Sequence, residues 1–329
     1  MPTAIVIREY GDSNVMTLEE VKIGSPAIGE LRIRQTGIGV NFHDVYVRSG
    51  LYQTLSLPGT PGCEAVGVIE EVGEGVNGFS VGERIAYVTG RYGAYASDRL
   101  LDSRLALRVP SEVPDAVVAS NLLRAMTVNM LISQVAKLKE GDTILVQAAA
   151  GGVGRLLCQW ASYLGVTVIG TVGSEEKAVQ AKASGCTHTI LYQQMDFAKV
   201  VRDITDGIGV DVAYDSVGAD TFYGSLDVLK PTGHLVNFGQ SSGSVKPLEM
   251  PQLAAKSLTV SRPILFHYLQ NPEAYKNMAT AAFTAFESAY LSIEDVQEIP
   301  LQDAHRAHDA LENRFGGGAL VLIPIDGIS

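Results

Sequence analysis

The sequence predicts an α/β chain in two parts: a partly open β-barrel region joined to a six-stranded doubly wound sheet. Three observations predict it. Residues 1–110 carry short strand-like runs broken by glycine and proline, such as TAIVIREYG, LRIRQTGIGV, CEAVGVIEEVG and GERIAYV. Beyond residue 142, six apolar, β-branched runs alternate with helical patterns. The first of those runs ends in a glycine-rich turn, AAAGGVG at 148–154.

The elements follow in order. The N-terminus, MPTAIVIREYGDSN, lacks a basic region followed by a long apolar core and reads as a first strand. The stretch 111–142 predicts two helices, with Ser111 as N-cap, Pro114 in the first turn and Gly141 ending the second helix. The six strand runs are TILVQ (143–147), VTVIGT (166–171), THTILY (187–192), VDVAYDSV (210–217), HLVNFG (234–239) and SLTVSRP (257–263). Between them GVGRLLCQWASYLG, SEEKAVQAKASG, MDFAKVVRDITDG, GADTFYGSLDVLKP and MPQLAAK predict helices. That alternation implies a parallel sheet covered on both faces. In the tail, NPEAYKNMATAAFTAFESAYL predicts one long helix and GALVLIP a last strand that returns to the first domain.

Composition narrows the function classes. The chain has 329 residues, 46% hydrophobic and 19% charged, enough for about two domains of 100–200 residues each. A net charge of −11 repels phosphate backbones and anionic lipid, which argues against nucleic acid as a partner. No continuous apolar run approaches the roughly 20 residues that span a bilayer. Cys63, Cys158 and Cys186 are odd in number and widely spaced, so no disulfide framework is expected. The expectation is a soluble protein of a reducing compartment, most simply the cytoplasm.

The turn at 148–154 matches the dinucleotide fingerprint with Ala149 at the first glycine position. Gly151, Gly152 and Val153 open the next helix, where backbone N–H groups and the helix dipole favour a pyrophosphate. An NAD enzyme usually carries Asp or Glu at the end of the second strand. Here Thr171, Val172 and Gly173 stand there, with Ser174 and Lys177 following. A small residue, a hydroxyl and a cation suit a 2′-phosphate, hence NADPH. Tyr192, ending the third strand, is placed to flank that phosphate or the adenine. The carboxyl ends of the later strands nominate Ser216, Val217, Phe238, Gly239, Ser241 and Arg262 for the cofactor crevice.

The segments NFHDVYVRSGLY (41–52), GCEAVG, GAYASD, AAAGGVG, GTVGSEEK, YDSVG and NFGQSSG together resemble the zinc-free, zeta-crystallin-like quinone oxidoreductases of the medium-chain dehydrogenase/reductases. The resemblance spans essentially the whole chain. It implies a GroES-like catalytic domain from 1–122 and 268–329, with a Rossmann NADPH-binding domain at 123–267. It places Asn41, Tyr46 and Tyr52 around nicotinamide and quinone, and Thr127 near the nicotinamide carboxamide. It adds Arg314 to Lys177 and Tyr192 at the 2′-phosphate. It further implies a homodimer paired at the edge strand near SLTVSRP, and metal-free reduction of a small-molecule quinone.

Where zinc alcohol dehydrogenases carry Gly-His-Glu, this chain has Gly62, Cys63 and Glu64. The partners of a catalytic zinc are missing, since the upstream cysteine position falls near Asn41. Cys63 is expected to pack, and no metal is expected. Three other readings stand beside quinone reduction. An NADPH-dependent reductase of α,β-unsaturated ketones or aldehydes is the nearest. GQSSG at 239–243 fits a hydrolase nucleophile elbow, with Asp303 and His305 or His308 following, although a loop with two prolines comes after it. A non-catalytic NADPH-binding protein is the third. His305 and His308 are expected on a solvated helix face rather than on a metal.

Overall fold

A computed structural model describes residues 1–292, 295–313 and 318–324. It forms two compact units, Met1–Leu123 with Leu269–Glu287 and Ile293–Ser329, and Arg124–Tyr268 with Ser288–Ser292.

The first unit opens with the hairpin β1 (Thr3–Val6) and β2 (Thr17–Glu20). The long strand β3 (Glu30–Gly39) leads into a two-turn helix, α1 (Phe42–Arg48). Four strands follow: β4 (Glu64–Val72), β5 (Arg84–Val88), β6 (Asp98–Asp102) and β7 (Leu107–Arg108). Alternation of apolar and polar residues in β3 buries Leu31, Ile33 and Ile38 on one side, as a half-covered antiparallel strand requires.

Between 111 and 142 the chain departs from the expected two helices. A single helix, α2 (Asp115–Asn129), runs on as a π-helical segment over Met130–Val135. Ser111 lies in the preceding turn and bonds Glu112 at 3.1 Å. Pro114 sits just before the helix, where its missing N–H costs nothing and its carbonyl accepts from Val118 N at 3.1 Å. Gly141 belongs to the turn before the next strand, with φ +86°. The continuous helix of 21 residues has a window of mean hydropathy 1.3, so it meets the length and composition of a membrane span. Within the fold 72% of that window is buried, the behaviour of a core helix.

The second unit is built on six parallel strands: β8 (Thr143–Val146), β9 (Thr167–Val172), β10 (His188–Leu191), β11 (Val210–Asp215), β12 (Leu229–Asn237) and β13 (Thr259–Ser261). Their order, β10-β9-β8-β11-β12-β13, is the doubly wound one. The connecting helices are α3 (Gly152–Tyr163), α4 (Glu175–Ala183), α5 (Phe197–Ile204), α6 (Phe222–Asp227) and α7 (Met250–Ala254). Local chemistry sets their starts: Asp196 caps α5 by accepting from Ala198 N at 2.9 Å and Lys199 N at 3.3 Å. Leu145, Ile169, Ala213 and Leu235 are fully buried on the strands, with Phe222 and Val201 packed from the helices.

The tail holds α8 (Leu265–Tyr268), α9 (Pro272–Glu287), β14 (Val296–Pro300), α10 (Ala304–Glu312) and β15 (Ala319–Ile323). In the first unit, β15 pairs antiparallel with β3 and parallel with β14, completing a seven-stranded sheet. Leu320 and Leu322 of β15, with Ala304 and Ala307 of α10, join the core made by β3, β4 and β5.

His308 corrects the expectation of a solvated face: it is fully buried, and its Nε2 lies 3.0 Å from the Tyr95 hydroxyl. On the same helix, Glu312 makes a bidentate pair with buried Arg48 of α1 at 2.9 Å for both bonds. Polar composition hid this face of α10 because its partners lie more than 200 residues away.

Candidate active site

In the first unit, Asn41 precedes α1 in an extended conformation and is 6% exposed. Its backbone N–H donates to the Asp44 carboxylate at 2.9 Å, the return half of an N-terminal capping arrangement. Its side-chain Nδ2 donates to Glu64 Oε1 at 2.7 Å, and Leu123 N donates to Glu64 Oε2 at 2.7 Å. A buried carboxylate thereby fixes the orientation of the Asn41 amide.

Along α1 and the turn after it the structure gathers rings. Tyr46 and Tyr52 meet edge to face with centroids 5.1 Å apart, and Tyr52 N donates to Tyr46 O at 3.0 Å. His43 lies 5.7 Å from the Tyr52 ring and stacks on Tyr92 at 5.9 Å. The sequence reading placed Tyr46 and Tyr52 together but gave no role to Tyr92. Its only signal is the motif GAYASD, which begins just after it.

The turn PGCEAVG is settled by packing. Gly62 has φ +95°, and a Cβ there would lie 2.3 Å from a Tyr95 ring carbon. Cys63 is fully buried and free. Burial, reinforced by the charges of Asp44 and Glu64, pushes its thiol pKa well up, so it stays protonated and is a poor nucleophile or metal ligand. Among the described residues, no three His, Cys, Asp or Glu side chains gather as metal ligands.

In the second unit, β8 delivers the chain into the glycine turn through Ala148, which itself takes φ +54°. Thr171 of β9 holds this turn: its Oγ1 donates to Gln147 at 2.6 Å and accepts from Ala148 N at 3.3 Å. Gly151 is the residue before α3, and Gly152 and Val153 form its first turn. A Cβ at Gly152 would meet the Arg124 guanidinium at 2.9 Å, so buried Arg124 stands directly against the helix start. Sequence reasoning missed Arg124, although it lies three residues, one helical turn, before Thr127 on α2. Thr127 is half-buried.

At the end of β9, Gly173 lets the Tyr192 hydroxyl approach to 3.1 Å of where a Cβ would be. Ser174 caps α4, its Oγ accepting from Lys177 N at 3.3 Å. These four predicted residues therefore cluster on two neighbouring strand ends. At the end of β11, fully buried Asp215 accepts from Val217 N at 2.8 Å and Gly218 N at 2.9 Å. Burial raises its pKa, opposed by these hydrogen bonds. Ser216 O accepts from Ser241 N at 3.3 Å, and Asp215 O from Phe238 N at 2.8 Å, which brings Ser216, Val217, Phe238, Gly239 and Ser241 together. Arg262 spends one nitrogen on Asn237 Oδ1 at 2.8 Å and Gly239 O at 2.9 Å, bracing those strand ends. Arg314 lies outside the described residues. The GQSSG segment is a loop with no helix before Met250, which is not a nucleophile elbow.

Comparisons with known proteins agree with this architecture. The family described as "Alcohol dehydrogenase GroES-like domain" matches residues 27–111, and "Zinc-binding dehydrogenase" matches residues 152–283. A 2-haloacrylate reductase from a Burkholderia species is 42% identical over 98% of this chain and 99% of its own length. A quinone oxidoreductase from Pseudomonas aeruginosa is 41% identical over 98% of this chain and all of its own. The crystal structure of Escherichia coli quinone oxidoreductase complexed with NADPH matches with a TM-score of 0.95 at 38% identity, covering 98% of this chain and 100% of that one. A GroES-like unit with a six-stranded dinucleotide-binding unit is the architecture of the medium-chain dehydrogenase/reductases. The chain belongs to their quinone oxidoreductase family.

Proposed function

We propose that this protein reduces quinones with NADPH and without a metal. The observation that carries the reading is the ring cluster along α1 and the turn after it, Tyr46, Tyr52 and His43, together with an Asn41 amide locked by Glu64. Flat aromatic walls suit a flat acceptor. When bound, NADPH supplies the hydride equivalent. Asn41 and Thr127 position the nicotinamide, and Tyr46 and Tyr52 orient the acceptor. Gly151, Gly152 and Val153 receive the pyrophosphate. Gly173, Ser174, Lys177 and Tyr192 take the 2′-phosphate, with Arg314 in the same role. Ser216, Val217, Phe238, Gly239 and Ser241 shape the crevice wall, and Arg262 supports it. Catalysis then falls to 1–122 with 268–329 and nucleotide binding to 123–267. A quinone needs no Lewis acid, because aromatisation stabilises its reduced form. Three free cysteines fit a reducing cytoplasm. The edge strand β13 is the surface for a homodimer.

A second reading has its own support in the 42% identity to a 2-haloacrylate reductase, and assigns an activated alkene as acceptor. Steady-state NADPH oxidation with a simple quinone, an enone and 2-chloroacrylate in parallel tests both. Preference for the quinone supports the main reading, and preference for the acrylate or enone replaces it.

A further inference from the structure

We propose that His43, Tyr92 and Thr54 form a proton relay that delivers the second hydrogen of the reduction from solvent. The inference rests on the quinone reading and gives His43 a second task beside its place in the ring cluster, with Tyr92 and Thr54 as its partners. His43 Nε2 lies 3.0 Å from the Tyr92 hydroxyl, which lies 2.6 Å from Thr54 Oγ1. The chain begins at exposed Thr54, passes half-buried Tyr92 and ends at a ring packed on Tyr52. All three residues belong to the first unit.

The chemistry balances. Hydride addition brings two electrons and one hydrogen to the quinone and leaves one oxygen negative. The Nδ1–H bond of His43 breaks as the hydroquinone O–H forms. The Tyr92 O–H bond breaks as Nε2–H forms, and the Thr54 hydroxyl refills Tyr92 and is itself refilled by water. After product leaves, water reprotonates Nδ1, and the Nε2 proton passes back through Tyr92 and Thr54 to the hydroxide left when water refilled Thr54, so one hydroxide remains per turnover. The net proton comes from water, and no other oxidant or reductant enters.

The surroundings favour a relay over a stored proton. Burial lowers the His43 pKa to about 4, so the ring is neutral at physiological pH. Burial raises the Tyr92 pKa to about 12, opposed by its bond with Thr54. Neither group charges near pH 7, so protons move through them in concert. Titratable and charged groups near this chain include Asp44, Cys63, Tyr10, Tyr46, Tyr52 and Arg99, whose guanidinium donates to Tyr92 O at 2.9 Å. Asp44 is engaged by Asn41 N and Tyr95, and Cys63 stays protonated.

Tyr92→Phe, Thr54→Val and His43→Ala test the relay. For Tyr92→Phe the expected result is a fall in kcat of roughly 10- to 100-fold with KM little changed. Its solvent deuterium effect should exceed that of wild type. Added imidazole should restore part of the activity of His43→Ala, and exposed Thr54→Val should show a smaller loss without disturbing folding. Nitrogen NMR of the cofactor-free protein gives a readout independent of turnover. The His43 ring should be neutral at pH 6, with an Nε2 shift that moves in Tyr92→Phe. Wild-type turnover with unchanged kcat and solvent effect in Tyr92→Phe and Thr54→Val overturns the relay alone. An Nε2 shift indifferent to Tyr92→Phe also overturns it. A wild type that turns over no quinone overturns the quinone reading first, and the relay's acceptor with it.

Discussion

At the scale of single residues, the proposed preference for NADPH rests on Lys177 together with Ser174, Tyr192 and Arg314. Lys177 follows a strand end bare of carboxylate, one helical turn after Ser174, and a Cβ at Gly173 would crowd the Tyr192 hydroxyl at 3.1 Å. Lys177→Ala should raise KM for NADPH about tenfold, the worth of one charge-assisted hydrogen bond, and leave KM for NADH unchanged. Steady-state kinetics with both nucleotides checks this, and equal effects on both would contradict the assignment. This residue was legible because position after a β-strand is read directly from periodicity. His43 lies within NFHDVYVRSGLY, a segment that says nothing of its hydrogen-bond partner. Its use depends on Tyr92, 49 residues away, which no local pattern announces.

At the scale of elements, one carboxylate joins three of them. Glu64 of β4 accepts from Asn41 before α1 and from Leu123 of α2. Glu64→Ala leaves two buried donors without their acceptor, at about 1–3 kcal/mol each. Urea unfolding should show a loss of about 2–6 kcal/mol, with KM for the acceptor rising as the Asn41 amide swings free. A loss within 0.5 kcal/mol, about the scale of a neutral surface change, would contradict that role. The six parallel strands were legible because they are β-branched runs between amphipathic helices. Helix α2 was misread as two because Pro114 and Gly141 look like helix signals while both lie outside it. Strand β14, VQEIP, escaped notice because its residues alternate weakly and its pairing with β15 is the only thing that makes it a strand.

At the scale of the whole molecule, buried histidines set the acid limit. Burial, assisted by the Arg48 charge, lowers the His308 pKa from 6.5 to about 3. Between those values the unfolded chain binds a proton that the folded chain refuses. Stability is therefore fully present above pH 6.5 and is lost as pH falls toward 3. His43 adds a loss of the same sign down to about 4. One such group gives a slope of about 1.4 kcal/mol per pH unit, so urea midpoints should fall steeply between pH 6 and 4.5. A flat profile there would place His308 in contact with solvent. The returning tail was foreseen from GALVLIP, whereas the burial of His308 follows from packing of α10 onto the first unit, which composition conceals.

The most direct test of the central claim is the steady-state rate of quinone-dependent NADPH oxidation, with NADH in parallel, on chelator-treated protein. The account predicts turnover that survives chelation, with kcat/KM at least about tenfold higher for NADPH, the value of one 2′-phosphate contact. Absence of quinone-dependent turnover, or turnover abolished by chelation, would contradict it.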